Sequence, residues 1–505
     1  MRSLATLSLL LGLSLCAPEG GYPLGRKEYY ISMPIDHFTN GGAQSATFQM
    51  RYFVDAQYWD PQSGPILFYA GNEGKLENFY DNSGFLTKNL SRELKGLIVF
   101  GEHRYFGKSL PFDPSTAYNT SNNTYLTVDQ VMMDYNLLLK SIRYQYSALD
   151  KPCIVFGGSY GGMLAAWLRM KYPQTFQGAL ASSAPILYFK GAPTAPENAF
   201  NDIISEAFGN RSLACNKTIK AGFQMIENIR NDTKRQGDWA ALSTAFNTCR
   251  PLQTYSDIDN LYLHLMNGYS YMAMTNYPYP TSFLTPMPAW PVNVACEYFA
   301  GFPVPTEGEV LATDEDRLVG GLTPDEQKTF TAMLKAVNVY FNNNSSTPNC
   351  TNFDDTDATG DLDGFGWNVL ACNQLAMPCA NGPNSMFTEG AFDYDAFTQF
   401  CEATYKMTPR YEWVWRYLGG NDIQRDFKAI SNIIFSNGEL DPWRAGGLND
   451  EILGNDKINI LFIGKAAHHL DLREPNDEFD PQEVKDARTQ ELAIIKGWIK
   501  EYTSQ

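Results

Sequence analysis

Long apolar runs are scarce in this chain. Beyond the N-terminus no stretch approaches the roughly 18 apolar residues that a membrane-spanning helix needs, so no membrane span is expected. Positive charge is also short: 39 Lys and Arg stand against 56 Asp and Glu, a net charge of −17. No basic stripe is available to follow a phosphate backbone, which argues against nucleic acid as a partner. Histidine is scarcer, with five in 505 residues. The adjacent pair His468-His469 would rarely converge on one ion, and no Cys/His/acid cluster surrounds it, so neither a metal nor a cofactor is expected. Internal repeats and long low-complexity tracts are missing too. With 44% hydrophobic and 19% charged residues, the composition reads as globular.

What is present begins with a leader. "MRSLATLSLLLGLSLCAPEG" has Arg2, an apolar run from Leu4 to Leu15, then small residues. It reads as a secretory signal peptide over 1–17. Nine cysteines become eight once Cys16 leaves, and eight allow about 105 complete pairings. Asn-x-Ser/Thr acceptors occur at Asn89, Asn119, Asn122, Asn210, Asn216, Asn231, Asn343, Asn344 and Asn349. Together these point to the secretory pathway, lysosomal or extracellular, where disulfides and glycans form. The acidic balance fits an acidic compartment.

The pattern along the mature chain falls into three parts. From about residue 46, β-prone runs such as "ATFQMRYFV", "PILFYAGNEG" and "GLIVFG" alternate with helical ones such as "TVDQVMMDYNLLLKSIRY". Apolar strands alternating with helices predict a mostly parallel sheet covered on both faces. The first part spans 18–190. Over 191–424 strand signals thin, helical patterns dominate and most cysteines fall here, as expected of a mainly helical insertion. Strand signals return over 425–505, at "NIIFSNGELDPW" and "INILFIGKAAHHLDLR".

In "CIVFGGSYGGMLAAWLRMKYP" a predicted strand turns directly into a predicted helix through Gly157, Ser159 and Gly161. A glycine-rich connection that merely lets backbones pack is one reading. A nucleophile elbow, which lifts a serine hydroxyl clear of the sheet, is the other. The elbow needs an acid and a histidine later in the chain, each just past a strand. Asp441 follows "NIIF" and the His468-His469 pair follows "INILFIG". The order Ser, Asp, His is that of α/β-hydrolases. In such a set the histidine takes and returns the serine proton while the aspartate holds the histidine tautomer. His103 precedes the serine, the wrong order for a base, and is expected to be structural; His37 and His264 carry no local signal. The N–H of Tyr160 and that of Asn72, in "YAGNEG", are the expected oxyanion donors. Arg473, near His469, is expected to disfavour its protonated form and so tune the catalytic ring.

The blocks "YAGNEG", "GEHRYFGKSLPF", "GGSYGGMLAAWLRMKYP", "SNGELDPW" and "AHHLDLR" together resemble the serine peptidase family of lysosomal Pro-Xaa carboxypeptidase and dipeptidyl-peptidase II. The resemblance implies an α/β-hydrolase core with an inserted helical cap. It implies a triad of Ser159, Asp441 and His468, taking the first histidine of the pair. It also implies a proline pocket lined by Met163, Met377 and Trp443, and peptide substrates with proline near a terminus. Within that family, the cysteine-free "LYFKGAPTAPENAF" is similar to the dipeptidyl-peptidase branch, which releases N-terminal dipeptides; release of a C-terminal residue is the alternative. Asn373-Gln374 stands where the family pattern has Thr-Glu, removing one acid from the cap. The implied disulfides are Cys215–Cys296, Cys249–Cys350 and Cys379–Cys401, with Cys153 a buried thiol and Cys372 unpaired. An esterase or lipase, and a non-catalytic binding protein, are the competing readings of the same fold. The oligomeric state, a homodimer included, is left open.

Overall fold

The computed structural model describes residues 24–39, 46–232, 234–235, 239–305, 321–341, 350–354 and 362–504. The signal peptide and the acceptors Asn343, Asn344 and Asn349 lie outside them. Eight strands form one sheet in the order β1-β2-β4-β3-β5-β6-β7-β8. They are β1 (Lys27–Pro34), β2 (Thr47–Asp55), β3 (Ile66–Ala70), β4 (Leu97–Gly101), β5 (Cys153–Gly158), β6 (Gly178–Ser182), β7 (Ile433–Gly438) and β8 (Ile458–Ile463). The β1–β2 and β2–β4 pairs are antiparallel and the rest of the sheet is parallel. This is the α/β-hydrolase fold.

The central strands β3, β4, β5 and β7 are buried at every residue, as strands covered on both faces must be. The Val128–Gln145 helix buries Val128, Val131, Met132, Tyr135, Leu138, Leu139 and Ile142, a stripe at spacings of three and four. Thr127 caps its first turn by accepting from the Gln130 N–H. Strand β1 lies before the region where strands were expected. It is an edge strand, with half of its residues exposed.

Strands β6 and β7 pair in parallel although the first ends at Ser182 and the second starts at Ile433. The described chain between them is helical, with the longest helices at Leu213–Asn231, Tyr255–Met274 and Pro324–Phe341. Several hydrogen bonds tie this segment to the core. The Asp363 N–H donates to the Glu73 carbonyl at 2.9 Å. The Gln374 side chain accepts from the Val128 N–H at 2.7 Å and donates to Asp129. Asn373 binds the Leu126 carbonyl and Arg410. Asn373 and Gln374 therefore join the helical segment to the core.

Disulfides join Cys215 to Cys296 and Cys249 to Cys350. The third bond is Cys372–Cys401, which corrects the expected Cys379–Cys401 pair. Cys372 lies in the Gly364–Asn373 helix and Cys401 in the Tyr394–Tyr405 helix, which bring their Cα atoms to 5.4 Å. Cys379 lies beyond the first helix, in irregular chain beside the Tyr188 hydroxyl, and stays a thiol that burial pushes up to about 12. Cys153 is a buried thiol in β5. Denatured, unreduced protein should accordingly be alkylated at Cys153 and Cys379 and spared at Cys372. Opening the 29-residue loop by Cys372→Ser should cost about 3–4 kcal/mol, whereas Cys379→Ser should be near neutral in denaturant titration. Alkylation of Cys372 with Cys379 spared would overturn the pairing.

Asn89, Asn119, Asn210 and Asn231 are exposed and Asn122 is half-buried. The Asn216 side chain is buried and its amide donates to the Ser205 carbonyl at 2.8 Å.

Candidate active site

Ser159 stands between the end of β5 and the Tyr160–Lys171 helix, with φ 59° and ψ −128°. A non-glycine residue rarely adopts such a backbone, and here hydrogen bonds hold it: the Ser159 N–H donates to the Ser182 carbonyl and the Met163 N–H to the Ser159 carbonyl, both at 3.0 Å. The glycines permit the close turn. A Cβ on Gly157 would lie 1.9 Å from the Gly161 carbonyl oxygen, and one on Gly161 would lie 2.9 Å from the Ala70 carbonyl oxygen and Asn72 Oδ1. Larger residues would drive the turn apart.

Asp441 and His468 meet behind the serine. The Asp441 carboxylate is fully buried and lies 3.0 and 2.9 Å from His468 Nδ1 through its two oxygens. A second donor, the Trp443 N–H, reaches Asp441 Oδ1 at 3.0 Å. With Nδ1–H directed at the carboxylate, Nε2 is the free nitrogen, the tautomer a proton acceptor requires. The His468 backbone is fixed from the end of the Tyr255–Met274 helix and the segment after it: its N–H donates to the Met274 carbonyl at 3.0 Å, and its carbonyl accepts from the Tyr277 hydroxyl at 2.8 Å.

His469 packs beside it, the two ring centroids 4.4 Å apart. Its φ is 40°, its N–H donates to Ser183 Oγ at 2.8 Å, and its ring meets the Phe283 ring edge-on. Burial, then the nearby His468 and Arg473, hold its pKa well below the ordinary value. Arg473 lies over the Tyr277 ring at 4.6 Å and donates to Asn82 and Thr281. His103 is buried with Nε2 at 3.0 Å from the Tyr160 hydroxyl and Nδ1 at the Arg104 carbonyl; burial lowers its pKa to about 4. It packs beneath the elbow as a neutral group.

Ser159, His468 and His469 line one cavity of about 890 Å³, mouth included, together with Tyr160, Asn72, Met163, Met377 and Trp443. Asp441 and Arg473 lie behind its wall. Tyr160 opens the elbow helix, so its N–H is one of those a helix start leaves without an intrahelical acceptor. Asn72, just past β3, is buried and its amide donates to Glu73 Oε2 at 2.8 Å. The Trp443 indole N–H points at Met274 Sδ, and its ring packs on Phe200. The cavity also takes in Glu73, Asp363 and Trp367, which sequence reasoning did not single out. Glu73 was inside the quoted "YAGNEG" block and carried a usable signal. Asp363 and Trp367 come from the distant helical segment, and nothing local marks them as neighbours of the serine. Burial raises the Glu73 carboxyl above its ordinary value, against the opposing effects of its hydrogen bonds and of His468. The described lining residues include no Lys and no Arg.

The chain also has relatives among known proteins. The chain is 36% identical over 501 residues to "Lysosomal Pro-X carboxypeptidase" of Homo sapiens and of Pongo abelii, covering 98% of this chain and 93% of each relative. It is 35% identical over 487 residues to "Prolyl carboxy peptidase like protein 5" of Caenorhabditis elegans, covering 94% of this chain and 90% of that one. Among solved structures, an esterase of Pyrobaculum calidifontis aligns over 94% of this chain and 86% of its own at 11% identity, with a TM-score of 0.34, too slight to argue from. The sequence model "Serine carboxypeptidase S28" matches residues 33–491, and the chain belongs to that family of serine peptidases.

Proposed function

We propose that the protein is a secreted or lysosomal exopeptidase that cleaves peptides after proline or alanine and releases N-terminal dipeptides. Ser159 Oγ attacks the scissile carbonyl as His468 Nε2 takes its proton. The tetrahedral oxyanion is held by the N–H groups of Tyr160 and Asn72, each contributing about 3 kcal/mol. His468 returns the proton to the leaving amine, whose C–N bond breaks to leave an ester on Ser159. Water, deprotonated by the same ring, then hydrolyses the ester and regenerates the hydroxyl. Asp441 holds the imidazole and stabilises its protonated form throughout. Met163, Met377 and Trp443 supply an apolar, adaptable wall for a proline ring, which has no N–H to satisfy. Residues 191–424 act as a cap that closes the site to long chains.

The charge of the cavity carries the choice of terminus. Glu73 and Asp363 offer carboxylates and the described lining offers no cation, which suits a substrate ammonium and not a C-terminal carboxylate. The second reading, release of a C-terminal residue after proline, is favoured by the Pro-X carboxypeptidase names of the relatives. That name and the three disulfides support a lysosomal or extracellular setting. Incubation with a Lys-Pro dipeptide dye and with an N-blocked peptide ending in Pro-Phe separates the two. Dye release with the blocked peptide intact is the expected result, and the reverse result overturns the choice of terminus. Cleavage of neither overturns the post-proline reading.

A further inference from the structure

Hydrogen bonds join the apolar wall of the cavity to the acid and the histidine behind it, in a closed ring of four residues. The Asp441 carboxylate binds the His468 ring, and the His468 N–H donates to the Met274 carbonyl. Met274 Sδ in turn accepts from the Trp443 indole N–H at 3.2 Å. The Trp443 backbone N–H closes the ring at Asp441 Oδ1, at 3.0 Å. Met274 enters it twice, through its carbonyl and through its sulfur. It is 5% exposed, lines the cavity and is the last residue of the Tyr255–Met274 helix. That helix end is held, since the Thr275 N–H and hydroxyl both donate to the Tyr271 carbonyl, at 3.0 and 2.6 Å. The sulfur is therefore presented from a fixed backbone.

We propose that Met274 is a specificity-determining residue: its sulfur fixes the Trp443 indole as the wall against which a proline ring at the cleaved bond rests, and ties that wall to the turn carrying His468. The role rests on the post-proline reading given above. Trp443 needs such a hold. It is half-buried on the short turn Pro442–Gly446 and shows its ring to the cavity. Phe200 packs on that ring at 4.4 Å between centroids, and Tyr188 stands perpendicular to it at 6.3 Å. Both contacts are apolar and carry no direction, whereas the indole N–H is a donor that selects one orientation. A thioether is a weak acceptor, but it is soft and apolar. It satisfies the N–H without placing water or a charged oxygen beside the proline ring. Because one residue holds both Trp443 and the His468 backbone, a ring seated on the indole lies at a set distance from the base. An alanine side chain is too short to press on that wall and gains nothing from its orientation.

The test compares full-length wild type with Met274→Leu, which nearly conserves volume, keeps the carbonyl that holds His468 and removes only the acceptor. The indole N–H is then unpaired, and the ring is satisfied only by turning towards water in the cavity, into the space that proline takes. The values of kcat/KM are measured for Lys-Pro and Lys-Ala dipeptide dyes. In Met274→Leu the proline-to-alanine ratio should fall by about tenfold, the size of one unpaired neutral donor. Met274→Gln, whose amide oxygen offers an acceptor at similar reach, should bring the ratio back to within about threefold of wild type. In a Trp443→Phe background, where the donor is gone, adding Met274→Leu should change the ratio by less than about twofold. If Met274→Leu does not fold, Trp443→Phe takes its place in the comparison, and there the ratio should fall at least as far. An unchanged ratio would overturn the proposal. So would an equal loss on both dyes, because a fold defect or a displaced histidine slows both substrates alike. A wild type that cleaves neither dye, or both equally, would remove the post-proline reading, and this role with it.

Discussion

Ser159→Ala should lower kcat by about 10⁵–10⁶-fold and abolish labelling by fluorophosphonates while leaving the protein folded. The loss is large because one atom, Oγ, forms and breaks the acyl bond, and no neighbouring nucleophile in the cavity replaces it. The fold should tolerate the change because the hydrogen bonds that hold the elbow come from the Ser159 backbone N–H and carbonyl. Its positive φ is equally strained with alanine, so stability should shift by no more than about 0.5 kcal/mol. Circular dichroism and a melting curve check the fold, and active-site titration checks the residual rate. Wild-type turnover by the variant removes the serine mechanism. An unfolded variant would show instead that the hydroxyl is part of the elbow's structure, which the hydrogen bonds contradict.

Much of this site was legible because the chemistry follows the ends of strands. The elbow announces itself as a strand, a glycine pair around a serine, and a helix. Asp441 and His468 each follow an apolar run of strand length. Backbone geometry fixes such places, and turn residues mark them. The parts that were not legible depend on pairs of elements far apart in sequence. Cys372 and Cys379 are seven positions apart, and only the packing of the Gly364–Asn373 helix on the Tyr394–Tyr405 helix selects the first as partner for Cys401. Glu73 and Asp363 become neighbours through one backbone hydrogen bond between segments nearly three hundred residues apart. The edge strand β1 was missed because an edge has one neighbour and needs little apolar patterning.

The two adjacent histidines should behave unequally. His468→Ala is expected to fall to the level of Ser159→Ala, because the serine proton then has no acceptor. His469→Ala should retain turnover, with a loss of at most about 10²-fold from a slightly misplaced catalytic ring. That ring lies against Gly158, where an added Cβ would come within 3.0 Å of it, and its centroid is 4.4 Å from that of His468. At this distance a charge on His469 would oppose the positive charge that His468 acquires as it takes the serine proton. Burial, His468 and Arg473 keep His469 neutral. Removing one of these causes gives a signed result. Arg473→Gln keeps a donor for Asn82 and Thr281 but takes away the cation, so His469 gains a proton at higher pH than in wild type. The acid limb of kcat/KM should then move to higher pH, and His469→Ala combined with Arg473→Gln should move it back. An acid limb that moves down in Arg473→Gln would show that Arg473 acts on the ring by some route other than its charge. Exchanged phenotypes for the two alanine variants would transfer the base to His469 and leave the order of serine, aspartate and histidine intact. Full activity in both would end the serine–histidine mechanism.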